Sequence, residues 1–188
     1  KHTLVTVESD GVTEVNTRVF YGSDSYGANC IVYDAYASRA HVLDHAQVIR
    51  VTDSYTVLPA RFSSGEHRMI VDANGTAWTA YDRSLYGGAK RLQGWLTDDG
   101  YTSHAMPDIN LPLSQCQEIR DIAIGSNGKF YVADGLSRRI FVYETNGVYT
   151  GVSWGGSGIG DGQFYPTTWS PTPYRAPYNI AADSNGHI

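Results

Sequence analysis

The sequence predicts an all-β chain built as a propeller of four-stranded antiparallel blades, and three observations carry that expectation. The first is the stretch from Arg120 to Gly162. Four short runs rich in β-branched and aromatic residues, Asp121–Ile124, Lys129–Ala133, Arg139–Tyr143 and Val148–Trp154, are separated there by turn residues, as in an antiparallel meander. The second is a pair of Asn-Gly turns, Asn127-Gly128 and Asn146-Gly147, which join the first run to the second and the third to the fourth. Asn-Gly suits a two-residue turn with positive φ at both positions. The third is recurrence: Val5-Thr6-Val7 before Gly11, Met69-Ile70-Val71 before Gly75, Ile122-Ala123-Ile124 before Gly128 and Ile180-Ala181-Ala182 before Gly186 share one frame, with glycines 64, 53 and 58 residues apart. A period of that length with no helical phase points to propeller blades.

Taken in order, Leu4–Val7 and Thr13–Phe20 read as a first hairpin, with Val15, Val19 and Tyr21 on one face and Glu14 and Arg18 on the other. Cys30–Tyr36 reads as a strand after the GSDSYGAN loop, and Ala37–Arg50 as a short helix or an outer strand. Val51–Glu66 reads as the crossing to a second blade, which starts at Arg68. RLQGWLTDDGYT, from Arg91, matches RIFVYETNGVYT, from Arg139, and NCIVYD, ending at Asp34, reads as a weaker third copy. Asp98–Gln117 and Thr167–Pro177, with their prolines, read as further crossings, and such connections carry the loops where binding lives. The expected organisation is one domain over 1–188, with blades at about 3–58, 66–113 and 119–165 and the start of a fourth at 177–188, an incomplete ring. A chain of 188 residues with 20 glycines and 14 tyrosines suits short strands and many turns around a sizeable core.

The segments DIAIGSNGKFYVADGLSRRIFVYETNG, GGSGIGDGQFYP and APYNIAADSNGHI together resemble the NHL repeat, whose blades carry an inner strand, an Asn-Gly turn, a Tyr-Val-Ala-Asp strand, an Arg-Ile strand and a Gly-rich segment ending in Gly-Gln-Phe. The resemblance is specific over Arg120–Ile188, partial over Glu66–Tyr101 and faint before that. It implies a propeller, often of six blades, in a family that includes both interaction modules and a metal-binding amidating lyase. That lyase's ligand set is not placed on residues of this chain, so an enzymatic role would rest on fold analogy alone.

Composition narrows the function classes. A net charge of −5, with 3 lysines against 11 arginines, argues against nucleic acid, because phosphate neutralisation needs a basic face. The nearest basic pairs, Lys90-Arg91 and Arg138-Arg139, begin equivalent strands, where pairing with a carboxylate such as Asp134 is expected. No apolar run is long enough to cross a bilayer as a helix. Cys30 and Cys116 are either one disulfide, as in a secreted protein, or two reduced buried thiols. Asn74-Gly75-Thr76 is a glycosylation sequon on a hairpin turn, and it leans the compartment outward.

The candidate chemistry is sparse. His41, Asp44 and His45 form H-x-x-D-H, which on a helix would put both histidines on one face, but no third ligand accompanies them and no metal or other cofactor is expected. His67, His104 and His187 are scattered near blade boundaries. Gly155–Gly162 lacks the G-x-G-x-x-G spacing of a phosphate cradle, no serine sits on a nucleophile elbow, and no paired carboxylates stand out. Catalytic residues are therefore not assigned. The expected function is a non-enzymatic extracellular structural or interaction protein. Further sequence or other copies of itself would complete the ring, as in a filament subunit. The alternatives are a ligand- or protein-binding module of a larger secreted protein, or a lyase or hydrolase fragment. Tyr101, Trp154, Trp169 and Tyr174 are the loop aromatics expected to line a binding groove, against a competing role in packing between blades.

Overall fold

Turn chemistry organises the chain. The computed structural model describes residues 2–7, 14–20, 28–34, 39–44, 47–51, 55–58, 66–82, 90–105, 107–112, 116–164, 177, 179–183 and 185–188. At Gly75, Gly128, Gly147 and Gly186 the same four-residue device recurs. The glycine N–H donates to the carbonyl three residues back (2.8–3.2 Å), and the residue carrying that carbonyl donates its own N–H to the carbonyl just after the glycine (2.9–3.0 Å). The glycines have φ of 79°, 75°, 84° and 86°, whereas the asparagines before them keep negative φ. These are type I turns closed by a left-handed glycine, not the doubly positive turns expected for Asn-Gly. The reason is that an Asn or Asp side chain in each turn accepts a backbone N–H and holds the type I form.

Among the described residues these turns and their strands build three four-stranded antiparallel meanders and one hairpin. β1 (His2–Val7) and β2 (Glu14–Phe20) pair only with each other. The first sheet is β3 (Ala28–Asp34), β4 (Arg39–Asp44), β5 (Gln47–Val51) and β6 (Tyr55–Leu58). The second is β7 (Glu66–Val71), β8 (Thr76–Asp82), β9 (Lys90–Leu96) and β10 (Ile109–Leu111). The third is β11 (Ile119–Ile124), β12 (Phe130–Asp134), β13 (Arg139–Tyr143) and β14 (Tyr149–Gly155). Each sheet runs in chain order, so each is a simple up-and-down blade.

Several sequence expectations change here. The span expected as one blade, 3–58, divides into the β1–β2 hairpin and a complete sheet. NCIVYD is the leading strand β3 of that sheet, not a third-strand copy, and the helix alternative for Ala37–Arg50 gives way to β4 and β5. The crossing expected over Val51–Glu66 contains β6. The sheet was not read as a separate unit because the sequence between β3 and β4 contains no glycine. Gly11 lies outside the described residues.

A stronger repeat than the glycine frame lies at the N-terminal ends of the leading strands. The β3–β4, β7–β8 and β11–β12 pairings each slip by one residue at the same place, between Ala28 and Cys30, Glu66 and Arg68, and Ile119 and Asp121. Each slip is a β-bulge, which bends the strand and re-aims its side chains. Counted from these bulges, the step from the first sheet to the second is 38 residues, from Cys30 to Arg68. The leading strands then stand side by side, β3 by β7 and β7 by β11.

Alternation along the strands buries both faces of the second sheet. Met69, Ala77 and Trp95 pack with Leu43, Val48, Leu58 and Tyr101 towards the first sheet. Trp78, Ala80, Leu92, Ile109 and Leu111 pack with Ile122, Phe130, Val132, Phe141 and Tyr143 towards the third. Trp78 meets Phe130 edge-on, with ring centroids 4.7 Å apart. Ala123, Tyr131 and Val142 cover the far side of the third sheet, where Ile180 and Ala182 pack on them.

Candidate functional site at the ends of the leading strands

The bulged ends of the leading strands gather most of the buried charge. Asp82 ends β8 and Asp134 ends β12, equivalent positions in TAYD and YVAD. Asp82 accepts the N–H of Ile119 at 2.6 Å, across to the third sheet, and lies 3.8 Å from the buried Lys90 ammonium. Asp134, fully buried, accepts N–H groups of Gln117, Glu118, Leu136 and Ser137. Both carboxylates therefore hold the chain as it returns inward to start β11. Removing either would strand amide donors or a charge away from water.

Beside them Arg68 of β7 reaches Asp121 of β11 at 3.4 Å, and the other Asp121 oxygen accepts the Ile180 N–H at 2.9 Å. One carboxylate thus joins three successive leading segments. Burial pushes the Asp121 carboxyl above its ordinary range, against the N–H groups of Ile180 and Ile122 and the Arg68 charge, which pull it down. Next to it the bulge residue Arg120 pairs with Glu118 at 2.6 Å. That pair lies over Gly135, where a Cβ would come within 2.7 Å of both side chains. The result is a surface of alternating charges that satisfy one another. Among the described residues no three His, Cys, Asp or Glu side chains are grouped to hold a metal ion.

Of the sequence-predicted groove residues, Tyr101 and Trp154 are described, and they lie in different parts of the fold. Tyr101 is a core residue with no exposure: Gly100 (φ 77°) and Tyr101 itself (φ 67°) turn the chain back, and the ring meets His41 edge-on at 5.4 Å. Trp154, on β14 of the third sheet, is 43% exposed and stacks on Tyr131 with centroids 5.6 Å apart and planes 11° from parallel. Trp169 and Tyr174 lie outside the described residues. Cys116 carries a free, buried thiol in the core between the second and third sheets, whereas Cys30 belongs to β3 in the first sheet, so the disulfide is not formed. Burial, then the charges of Asp134 and Asp82, push the Cys116 thiol far up.

His41 and Asp44 lie on strand β4 and His45 is outside the described residues, so the helical form of this motif gives way to a strand. Asn74 is exposed in its turn. Lys90 pairs with Asp82 and Arg91 with Asp108 at 3.2 Å. Arg138 and Arg139 bond instead to Ser157 and Ser153, because Asp134 is occupied by backbone amides.

One polar cluster escaped the sequence reading. Asp108 takes His104 Nδ1 at 3.1 Å, Gln93 Nε2 at 3.2 Å and Arg91, while the His104 ring lies 4.1 Å from that of Trp95. The period-two spacing of Arg91, Gln93 and Trp95 along β9 was the available signal.

No protein-family model matches the chain, and no curated protein matches it in sequence. Solved structures match in fold. A streptogramin B lyase structure aligns with 98% of this chain and 53% of its own at 14% identity and a TM-score of 0.59. Virginiamycin B lyase from Staphylococcus aureus aligns with 96% of this chain and 53% of its own at 13% identity and 0.58. A protein of unknown function from Bacteroides caccae aligns with 84% of this chain and 55% of its own at 12% identity and 0.55. The chain spans about half the length of these structures. At such identities the likeness speaks to architecture alone, and with the three meanders it assigns this chain the β-propeller fold, in blades of four antiparallel strands.

Proposed function

We propose that the chain is a non-enzymatic interaction module of a larger propeller, whose ring is completed by a further blade seated on the open face of the third sheet. The observation that carries this reading is that, among the described residues, the face is only half covered. Ile180 and Ala182 pack on Ala123, Tyr131 and Val142, and Ile180 is tied to Asp121. The turn from Asp183 to His187 repeats the hydrogen bonds of the other leading hairpins. Farther out on the same sheet, Val152 is 45% and Trp154 43% exposed. On the second sheet the corresponding apolar face is buried out to its last strand, where Ile109 and Leu111 pack into the core shared with the third sheet. The solved structures of like fold being about twice as long supports completion by additional blades. Binding is favoured over catalysis because Asp82 and Asp134, the buried carboxylates at the strand ends, are spent on backbone amides.

The test is sedimentation velocity over a range of concentrations. The chain is expected to self-associate through the uncovered apolar face, and the double change Val152→Lys, Trp154→Lys is expected to abolish association while the melting temperature stays within a few degrees. A concentration-independent monomer with the unaltered face would overturn the reading.

A further inference from the structure

The four glycine-closed turns are alike in backbone, and their side chains divide the work in two ways. At the third-sheet turns the asparagine is a structural part. Asn127 Oδ1 accepts the Lys129 N–H at 3.0 Å while its Nδ2 donates to the Tyr131 hydroxyl at 2.9 Å, and Asn146 Oδ1 accepts the Val148 N–H at 3.0 Å. At the second-sheet turn the same duty falls to Asp72. Its Oδ1 accepts the N–H groups of Asn74 and Thr76, both at 2.9 Å, and its Oδ2 accepts the Trp78 indole N–H at 3.0 Å. Asn74 therefore takes part only through its backbone, and its exposed side-chain amide holds nothing in place. Asn74 is also the asparagine that begins the chain's single Asn-x-Thr/Ser triplet, Asn74-Gly75-Thr76. Asn127, Asn146 and Asn185, at the equivalent turn position, are followed by Gly-Lys, Gly-Val and Gly-His. The released amide and the acceptor triplet coincide at one turn of four.

We propose that Asn74 is the attachment site of an N-linked glycan. In the step, Nδ2 of Asn74 forms a bond to C1 of the first sugar of a polyprenyl-pyrophosphate-linked oligosaccharide. The C1–O bond to the pyrophosphate breaks with its electron pair leaving on that group, and Nδ2 gives up one proton. The acceptor triplet is the one that such transfer requires. A glycan there displaces no hydrogen bond of the fold. It also stands at the C-terminal end of β7, away from the bulged ends that carry Arg68 and Asp121, so it would shield one end of the propeller and leave the candidate binding surface uncovered. This inference does not depend on the proposed completion of the ring.

The test is peptide mapping by mass spectrometry of the protein from its native source, before and after treatment with an N-glycosidase. The peptide containing Asn74 is expected to carry hexose and N-acetylhexosamine mass, and enzymatic release is expected to leave aspartate at position 74. In protein expressed in the same host, Asn74→Gln and Thr76→Ala should lose the sugar and Thr76→Ser should keep it. Asn74→Gln, unglycosylated, should melt with the enzymatically deglycosylated protein, whereas Asn127→Gln should melt lower. An unmodified Asn74, or aspartate or isoaspartate there without prior sugar, would overturn the proposal. So would an Asn74→Gln loss of stability as large as that of Asn127→Gln, since the amide would then be structural.

Discussion

Cys116 and Asp121 show how burial alone sets the behaviour of single groups in this fold. The Cys116 thiol is enclosed by the core between two sheets and faces the negative charges of Asp134 and Asp82, so its reactive thiolate is strongly disfavoured. Iodoacetamide at neutral pH is expected to leave it unmodified in the folded protein and to label it rapidly in denaturant; fast native labelling of the Cys116 peptide, resolved from that of Cys30 by peptide mapping, would contradict the buried placement. Asp121 titrates in the opposite sense to most acid-range groups. Its folded pKa lies above the unfolded value because burial outweighs its hydrogen bonds and Arg68, so the folded state holds the proton to higher pH. Its contribution to stability is full below the unfolded carboxylate value and declines as pH rises through the raised one. Asp183 has the reverse sign: His187, by side chain and then backbone, lowers its pKa, so its contribution fades as pH falls. Melting curves across the acid range should show the Asp121 decline disappear in Asp121→Asn, and an unchanged profile would sink this account.

At the scale of elements, the turn glycines differ in what surrounds them. Gly128 needs its left-handed φ of 75° but has open space where a Cβ would go. Gly147, at φ 84°, would drive a Cβ into Ile109 Cγ2 of the second sheet. Gly128→Ala is therefore expected to cost about 1–2 kcal/mol from backbone strain alone. Gly147→Ala adds overpacking of roughly 1–3 kcal/mol. Urea midpoints of the two variants should differ in that order; equal losses would mean that the β13–β14 turn does not rest on β10. The bulges at Asn29, His67 and Arg120 are the other repeated device, and they were invisible in the sequence because the bulged residues share no chemistry.

For the whole molecule, the sheets are fastened to one another at their leading ends. Asp82 accepts an amide from the third sheet, Arg68 reaches Asp121, and Asp121 accepts the amide of Ile180. The Asp82–Lys90 pair is nearly dry, with side-chain exposures of 9% and 3%. Replacing both partners with apolar residues can be close to neutral, but removing one leaves a buried charge, so Asp82→Ala is expected to cost about 3–5 kcal/mol. Chemical denaturation should show that loss, with a smaller one for Asp82→Ala combined with Lys90→Met. A loss below about 1 kcal/mol for the single variant, the size of an exposed ion pair, would mean that the site is wet.

Repeated blades, their antiparallel meander and the glycine-closed turns were legible in the chain itself, because a turn is decided by residues four apart and a strand by alternation over six. The same local signals weakened where no glycine marked the connection between β3 and β4, so only the leading strand of that sheet was read as a strand outright and its separation from the first hairpin was missed. The roles of Tyr101, Cys116, Asp82 and Asp121 could not be read that way. Whether a side chain is a groove aromatic or a core one, and whether a carboxylate faces water or a neighbouring backbone, depends on which sheet lies opposite. Only the packing of one blade against the next decides that, since it brings together residues 37 to 59 apart, as in Asp82 with Ile119 and Asp121 with Ile180.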